Sequence, residues 1–482
     1  MAGYLHKSCH AMNILVKLPC VVERYSPEFE SLFSPEGYRY FRRYLSGILV
    51  SDNKTLDGIN RLFVTERRNQ SSFNRFVNRQ NFDIEALNRR RVGLMQQTEL
   101  TRFKSSAGDS GVLALDDTLM SHYGRHFDHI YQLWDHVHEH YTLSHNLISL
   151  HYSDDRTDYS VDHDLWEPPD WEAVAIKMRE LGIHVNDKKW ENRTTELSKW
   201  RAYMRDRYKD CQYKKPELWD VYKTKVLRGL ELLRRFRRDY PGIELPVAMD
   251  GGYTGAEVCK IIDQELKMAY VGNLADYQII IQSGSVRKSL GEFTAELLEQ
   301  HRGGQTKFHK TTVHYKGQEE TYYAYCATHR IKGYEQKQRL VISYKKEQLN
   351  GTPRYSISNR THWHASGILR IRRHRWPIET FHQEGKDEGL DKYQLRDFRA
   401  IRTHVAFVST AYTMLKRAAH DDELLSTFRQ RLQIEPNGTL PLLRRLLQLE
   451  ALMALVEYVH LQANNGTSIE NILQQLMRPV AY

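Results

Sequence analysis

The chain has 482 residues, of which 40% are hydrophobic, so it is long enough for several structural units and apolar enough for a substantial core. Its 70 lysines and arginines exceed its 60 aspartates and glutamates; the resulting net charge of +10 favours a polyanionic partner such as nucleic acid. The five widely spaced cysteines exclude a paired zinc or disulfide framework and favour a reducing cytoplasm, and no apolar run is long enough to span a membrane.

The first predicted unit is helical. From about residue 27 to 103, apolar residues recur at three- and four-residue spacing with arginines between them, which indicates a separate helical domain. Within it, two short helices at 55–63 and 70–78 form a candidate helix-turn-helix. Four arginines lie on or near the second of these helices: Arg67, Arg68, Arg75 and Arg79. The first three are candidate DNA contacts, although all four could equally be the solvated face of an ordinary bundle.

A sheet is predicted to start after the Ser- and Gly-rich linker at 105–111. The apolar run 112–115 predicts a buried strand that ends on Asp116. Two further strands, at 141–152 and 159–166, complete an antiparallel meander. Residues 170–240 have a charge-rich helical pattern, and the last helix there is predicted to run from about 216 to 240.

The rest of the chain alternates strand-like and helical patterns. A second apolar run, 245–250, ends on Asp250, and a strand follows at 277–282. Short alternating runs rich in tyrosine and β-branched residues predict a β-rich insertion at 307–358. A helix is predicted from about 365 to 386, and helical pattern continues after Gly389 to the C-terminus. Its Leu-rich stretch, 442–456, could be a dimer surface or an ordinary buried helix.

Two carboxylates, Asp116 and Asp250, follow predicted buried strands. Charges at such positions cost free energy unless a partner compensates them, and a divalent cation is one effective partner. Mg²⁺ suits a site whose ligands are all oxygen atoms. Taken singly, either aspartate could instead be a turn residue at the end of a strand.

The helix predicted at 365–386 contains a third acid, Glu379. If this helix is continuous, five polar residues fall on one face: Arg372, Arg375, Glu379, His382 and Lys386. Four apolar residues form a second stripe that would face the core: Ile368, Ile371, Ile378 and Phe381. Pro377 would kink such a helix, or would fit without cost at the first position of a new one. By itself, this segment could be an ordinary helix with salt-bridged charges.

The segment Arg375-Trp-Pro-Ile-Glu379-Thr-Phe-His-Gln-Glu-Gly-Lys386 resembles the signature of bacterial insertion-sequence transposases of the DDE type. In that signature a tyrosine, an arginine, the catalytic glutamate and a lysine follow at fixed spacing. Arg375, Glu379 and Lys386 match it, and Arg372 stands at the tyrosine position. The strand ends at Asp116 and Asp250 look like the two aspartates of the family.

The first aspartate is open between two neighbours, because Asp116 and Asp117 would point to opposite faces of a sheet. Family members usually have one residue between this aspartate and a threonine. Thr118 therefore favours Asp116, with Asp117 as the alternative.

The resemblance implies an α/β fold, with an RNase H-like catalytic core that contains a β-rich insertion and is flanked by N- and C-terminal helical regions. It suggests five parts: an N-terminal helical DNA-binding region at 1–110, the first part of the core at 111–306 with a helical insertion at about 170–240, the β-rich insertion at 307–360, the second part of the core at 361–420, and a C-terminal helical region at 421–482.

The implied activity is that of a DNA transposase, which cleaves transposon ends and joins them to target DNA. Asp116, Asp250 and Glu379 would hold two Mg²⁺ or Mn²⁺ ions. The residues expected to contact DNA near them are Arg372, Arg375, His382 and Lys386, of which His382 could instead simply pack. The implied setting is double-stranded DNA bound by a homodimer, in the nucleoid of the bacterial cytoplasm. The alternatives are a nuclease of the same fold that does not join strands and a catalytically inactive DNA-binding relative, against which the three acids argue.

Overall fold

The structure is a computed structural model that describes residues 14–66, 68–79, 81–105, 111–282, 286–436 and 438–477. Its strands are β1 Val112–Ser121, β2 Tyr131–Asp135, β3 His140–Ser153, β4 Asp158–Leu165, β5 Val247–Met249, β6 Tyr270–Leu274, β7 Ile279–Ile281, β8 Arg287–Ser289, β9 His309–Tyr315, β10 Gln318–Ile331, β11 Gln338–Tyr344 and β12 Arg354–Ser358.

The α-helices are α1 Cys20–Tyr25, α2 Pro35–Val50, α3 Leu56–Arg61, α4 Gln70–Arg79, α5 Ile84–Gln96, α6 Trp171–Glu180, α7 Asp187–Glu191, α8 Leu197–Cys211, α9 Lys225–Asp239, α10 Ala256–Lys260, α11 Leu290–Arg302, α12 Ala365–Arg373, α13 Trp376–Asp387, α14 Phe398–Ala418, α15 Asp422–Leu432, α16 Leu440–Asn464 and α17 Ile469–Met477. Short 3₁₀ helices span Ser26–Leu32 and Pro216–Asp220, and a π-helical turn at Ile261–Glu265 extends α10. In the ranges given above, no helix combines the length and the apolar character that crossing a membrane requires.

One mixed sheet organises the middle of the chain, from residue 112 to 358. β4, β3 and β1 pair antiparallel in that order, and β1 continues into β5 and β6 through parallel pairing. Three antiparallel strands followed by two parallel ones form the RNase H-like core, which confirms the predicted fold class. The crossover from β4 to β5 includes α9, whose apolar face packs on the sheet.

The β-rich stretch extends this same sheet. β12 pairs with β6, and β11, β10 and β9 follow outward by antiparallel pairing. The far end of the long strand β10 pairs with β7 instead, through Arg330 and Ile331. The predicted insertion is therefore β-rich, but its strands continue the core sheet.

The sheet has a different helical layer on each face. On one face, Leu113, Leu115 and Val247 pack in a cluster with α9. On the other face, Val112 and Ala248 pack with the apolar side of α12. Because successive side chains of a strand point to opposite faces, each strand contributes to both layers.

The N-terminal helices share a hydrophobic core with the C-terminal ones. Phe41, Tyr44 and Ile48 of α2 pack in one cluster with Phe407 and Val408 of α14. The expectation of a separate helical domain therefore does not fit, because the apolar face of α2 packs on α14, about 360 residues further along the chain.

Three predicted boundaries differ from the structure. β1 does not end at Asp116 but continues to Ser121, because β3 pairs with it along its whole length. The helix predicted from 216 to 240 is a 3₁₀ turn followed by α9, whose first turn is capped when the Thr224 hydroxyl accepts the N–H of Leu227. The helix predicted from 365 to 386 is interrupted between Arg373 and Trp376, and Pro377 lies in the first turn of α13.

Candidate active site

Asp116 and Asp250 lie side by side on one face of the sheet. β1 and β5 are parallel, with Leu115 opposite Met249, so the next residue of each strand is an aspartate. Both carboxylates are on the face that packs against α12. The Asp250 carboxylate accepts the N–H of Gly252 at 3.0 Å and that of Tyr253 at 3.2 Å, which fixes its orientation at the end of the strand.

Asp117 is on the opposite face and is already fully engaged. Its carboxylate accepts hydrogen bonds from Lys225 Nζ at 2.9 Å, Tyr253 Oη at 3.0 Å and Asn146 Nδ2 at 2.6 Å. Burial acts to raise the pKa of Asp117, but the charge of Lys225 and these hydrogen bonds outweigh it and hold the pKa below its usual value. The geometry therefore favours Asp116 as the first acid of the site.

Glu379 lies on α13, over the same face of the sheet as Asp116. The Arg375 guanidinium joins the two acids: Nη1 donates to Asp116 Oδ2 at 2.5 Å, and Nη2 donates to Glu379 Oε1. The Glu379 side chain is 36% exposed, whereas that of Asp116 is only 14% exposed. Asp116 thus lies beside Asp250 and is linked through Arg375 to Glu379, whose side chain reaches the protein surface.

The Asp116 carboxyl needs a compensating cation. Burial raises its pKa to about 7; Arg375 opposes this shift, and the neighbouring charge of Asp250 adds to it. Carboxylate oxygens are the ligands that Mg²⁺ and Mn²⁺ prefer, so the donor chemistry of these acids fits such an ion. Within the described residues, no three His, Cys, Asp or Glu side chains already stand at metal-ligand spacing. Arg375 provides the positive charge between Asp116 and Glu379.

A cationic groove of about 1020 Å³ opens beside Glu379, between α12, α13 and the strands β10–β12. Six cations line it against two acids: Lys345, Lys346, Arg354, Arg372, Arg373 and Arg375 against Glu320 and Glu379. Trp376, which is 55% exposed, lies in its wall. A positively charged groove with an exposed aromatic ring in its wall is suited to a nucleic-acid strand.

The break between α12 and α13 changes which residues share a face with Glu379. Lys386, two turns along α13, keeps its alignment with Glu379. Its ammonium group is largely buried, which lowers its pKa, while the nearby charges of Asp391 and Asp135 oppose that shift. Arg372 belongs to α12 and lines the groove. The expected single face is therefore divided between two helices.

His382 does not fit the expectation that it contacts DNA. It is only 7% exposed, and its Nε2 atom is buried without a hydrogen-bond partner. Burial lowers its pKa to about 3, so the ring is neutral. On α13 it lies about 60° from Glu379, towards the buried side chain of Ile378. The structure therefore supports the packing alternative.

The N-terminal arginines differ in availability. Arg67 lies outside the described residues. Arg68 donates to Glu66 and Glu36, and its guanidinium lies 5.2 Å from the centre of the Tyr40 ring, so its side chain is engaged within the protein. Arg75 is on the exposed side of α4 and donates to Ser72 Oγ at 2.9 Å. Of Arg68 and Arg75, Arg75 is the one whose side chain has a surface position.

Several groove residues were not foreseen from the sequence. Arg354 and Arg373 are single arginines in strand and helix patterns, and nothing local distinguishes them from solvated charges. The adjacent lysines Lys345 and Lys346 were a detectable signal, because they interrupt the alternating runs of the predicted β-rich stretch at 307–358. Their position beside Glu379 depends on the pairing of β11 with β12, which is a tertiary feature.

Two comparisons with known families agree with this geometry. The chain matches the family described as Transposase DDE domain over residues 220–414 and the family described as DDE superfamily endonuclease over residues 29–266. The first match contains Asp250 and Glu379, and the second contains Asp116 and Asp250. A comparison with curated proteins gave no significant match. The matched families, the RNase H-like sheet and the three acids on one of its faces lead to the same conclusion: the chain belongs to the DDE-type transposases.

Proposed function

We propose that this protein is a DNA transposase that cleaves DNA at transposon ends and transfers the freed strand ends to target DNA, using divalent metal ions. The observation that carries the proposal is that Asp116 and Asp250 stand on one face of the sheet, while Arg375 links Asp116 to Glu379, which lines a cationic groove. These three residues are the proposed ligands for two Mg²⁺ or Mn²⁺ ions. When bound, such ions activate an attacking hydroxyl group and stabilise the leaving oxygen of a phosphodiester.

The three proposed metal ligands differ in how firmly the protein holds them. Asp116 and Asp250 stand on adjacent parallel strands of the core, and backbone N–H groups orient Asp250, so these two are rigidly placed. Glu379 lies on a helix and is the most exposed member of its ion pair with Arg375. We infer that Glu379 moves most when the site is assembled, because fewer contacts hold its carboxylate.

Arg375 has two carboxylate partners in the protein, and the phosphate groups of DNA could also pair with it. In the structure it neutralises Asp116 and Glu379 together. A backbone phosphate is as good a partner for a guanidinium as a carboxylate, since each of these anions accepts two parallel hydrogen bonds. Docking of DNA in the groove would therefore draw Arg375 away and leave the two carboxylates free. Lys386, on the same face of α13 as Glu379, is the proposed second phosphate contact at the site.

DNA outside the groove would contact the N-terminal helices. α3 and α4 pack on each other as the candidate helix-turn-helix, and Arg75 on α4 is exposed there. A homodimer is the proposed assembly, and the stretch 442–456 offers Leu452 and Val456 as exposed apolar residues of α16. The other leucines of that stretch are largely buried within the chain, so it serves mainly as core.

A strand-transfer assay tests the proposed function directly. Purified protein is incubated with Mg²⁺, a DNA fragment that carries the element ends and a supercoiled target plasmid. A transposase gives target DNA covalently joined to the element ends. Cut ends without joined products would instead identify a nuclease of the same fold, and DNA binding without cuts would identify an inactive relative.

A further inference from the structure

Two arginines that line the groove, Arg354 and Arg372, have no anionic partner among the described residues. Arg354 is the first residue of β12, and Arg372 lies in the last turn of α12. Both line the large groove and also a second cavity, of about 560 Å³, that continues from it. The two hollows have five lining residues in common: Asn273, Tyr344, Thr352, Arg354 and Arg372. In the part of the chain that the structure describes, neither guanidinium forms an ion pair or a side-chain hydrogen bond.

The neighbouring arginines of α12 and of the break that follows it are paired with acids. Arg370 donates to Asp155 at 2.9 Å, Arg373 to Glu320 at 2.8 Å and Arg375 to Asp116 at 2.5 Å. Arg354 and Arg372 thus differ from their neighbours, which form ion pairs with nearby acids. Asp276 lines the smaller cavity, but it pairs with neither of them.

The two unpaired charges affect each other. Partial burial lowers the pKa of the Arg372 guanidinium, and the positive charge of Arg354 lowers it further. Two cations that approach each other in a partly buried hollow cost free energy unless an anion lies between them. Planar guanidinium groups bind phosphate oxygens through two parallel hydrogen bonds each, so a phosphate is the anion best suited to such a pair.

We propose that Arg354 and Arg372 together bind one phosphate of the DNA backbone, beyond the catalytic acids on the path of the strand through the groove. The inference rests on the proposed function, because it takes DNA to be the occupant of the groove. Arg372 stands where the resembled signature has a tyrosine, so in this chain a permanent charge replaces a neutral hydroxyl at that position. Arg354, on the facing strand, completes the contact from the other side.

The test is the salt dependence of DNA binding. Fluorescence anisotropy of a short labelled duplex is measured over a range of salt concentrations for wild type, Arg354→Gln, Arg372→Gln and the double variant. Each single variant should bind about 10-fold more weakly, as expected for loss of a charged hydrogen bond. In the double variant, the slope of log affinity against log salt should fall by about 0.9, the value for one phosphate. Arg234→Gln is the matched control, because this arginine is already paired with Glu231 and Glu265.

Three results would overturn the proposal. The first is a double variant whose slope equals that of wild type or of Arg234→Gln. The second is a fall of about twice 0.9, which would mean two separate phosphates instead of a shared one. The third is tight binding of inorganic phosphate that is lost in the double variant while the slope for DNA stays unchanged, since this identifies a site for free phosphate.

All of these measurements are repeated in a Glu379→Gln background, where no cleavage is expected, so that failure of this inference is separable from failure of the proposed function. Arg354 is exposed, so its variant tests the proposal even if Arg372→Gln folds poorly.

Discussion

At the scale of single residues, the alternation of side chains along β1 decides which aspartate lies on the same side of the sheet as Glu379. Asp116 shares a face with Asp250 and contacts Arg375, whereas Asp117 contacts Lys225 on the other face. The sequence could place an acid at this point of a buried strand. Residue chemistry could not distinguish Asp116 from Asp117, because both are aspartates. The pairing of β1 with β5 shows which of them lies beside Asp250.

Substituting each of these aspartates should separate catalysis from stability. Asp116→Asn should lower Mg²⁺-dependent DNA cleavage by more than about 100-fold without lowering the melting temperature, because it removes a carboxylate that burial already disfavours. Asp117→Asn should keep cleavage and lose about 1–2 kcal/mol of unfolding free energy, because its charge stabilises the contacts with Lys225 and Tyr253. Paired cleavage and denaturation measurements check both. A stable but inactive Asp117→Asn protein would reverse the assignment.

His382 predicts a dependence of stability on pH. Its pKa is lowered to about 3 by burial, so between about pH 6.5 and 3 the unfolded chain binds a proton there that the folded protein does not. The folded protein therefore loses stability as pH falls through this window. His382→Phe removes the ring nitrogens and should gain about 2 kcal/mol relative to wild type between pH 7 and pH 5. Urea unfolding at the two pH values measures this gain. If the unfolding free energies of wild type and His382→Phe changed equally with pH, the His382 ring would not be held neutral by burial.

At the scale of secondary structure, the break between α12 and α13 is the main departure from the periodic pattern. The apolar stripe Ile368, Ile371, Ile378 and Phe381 is buried as predicted, because each half of the segment is helical. The pattern could not reveal the two-residue interruption, since an apolar stripe looks similar whether a helix is continuous or restarts. Pro377 was the local signal for a new first turn.

The end of α13 depends on a glycine, and this can be tested. Gly389 has φ +105°, and a Cβ atom there would lie 2.7 Å from Lys54 Cγ. Gly389→Ala should therefore lower the unfolding free energy by about 1–3 kcal/mol, and cleavage should fall at elevated temperature, because Glu379 lies on the helix that this turn ends. Gly367→Ala on α12 is the control: its Cβ would meet open space, and it should gain about 0.5 kcal/mol. Equal stability of the two variants in thermal denaturation would contradict the strained turn at residue 389.

Apolar runs in the sequence predicted some strands of the sheet and not others. The runs at 112–115 and 245–250 marked β1 and β5 because buried strands need apolar residues on both faces. β2 was missed, because its five residues are only half-buried and gain their pairing from β3. The pairing of β12 with β6 joins strands about 80 residues apart, and no local signal encodes it.

At the scale of the whole molecule, a buried arginine joins the N-terminal helices to the central sheet. Arg91 of α5 donates to the carbonyl oxygens of Ser160 and Val161 on β4 and to the Thr413 hydroxyl on α14. Its guanidinium is fully buried, and burial lowers its pKa to about 10. Three elements from distant parts of the chain therefore depend on one side chain, which explains why the helical pattern at 27–103 could be seen in the sequence and its packing could not.

Arg91→Met should loosen this junction. The substitution leaves buried carbonyl oxygens without a donor and should cost roughly 3 kcal/mol of unfolding free energy. Hydrogen exchange should increase in α5 and β4 together, since the arginine serves both. Arg90→Met makes the same change at an exposed neighbour and should leave stability nearly unchanged. If Arg91→Met matched this control, the two halves would be held together by apolar packing alone.

The central claim is that Asp116, Asp250 and Glu379 form one metal-dependent active site in a DNA transposase. The most direct measurement is single-turnover cleavage of element ends by Glu379→Gln in the presence of Mg²⁺, with DNA affinity measured on the same preparation. The amide keeps the size of the side chain and removes its charge, so DNA binding should be retained while cleavage falls by more than about 100-fold. Cleavage at the wild-type rate by Glu379→Gln would contradict the account.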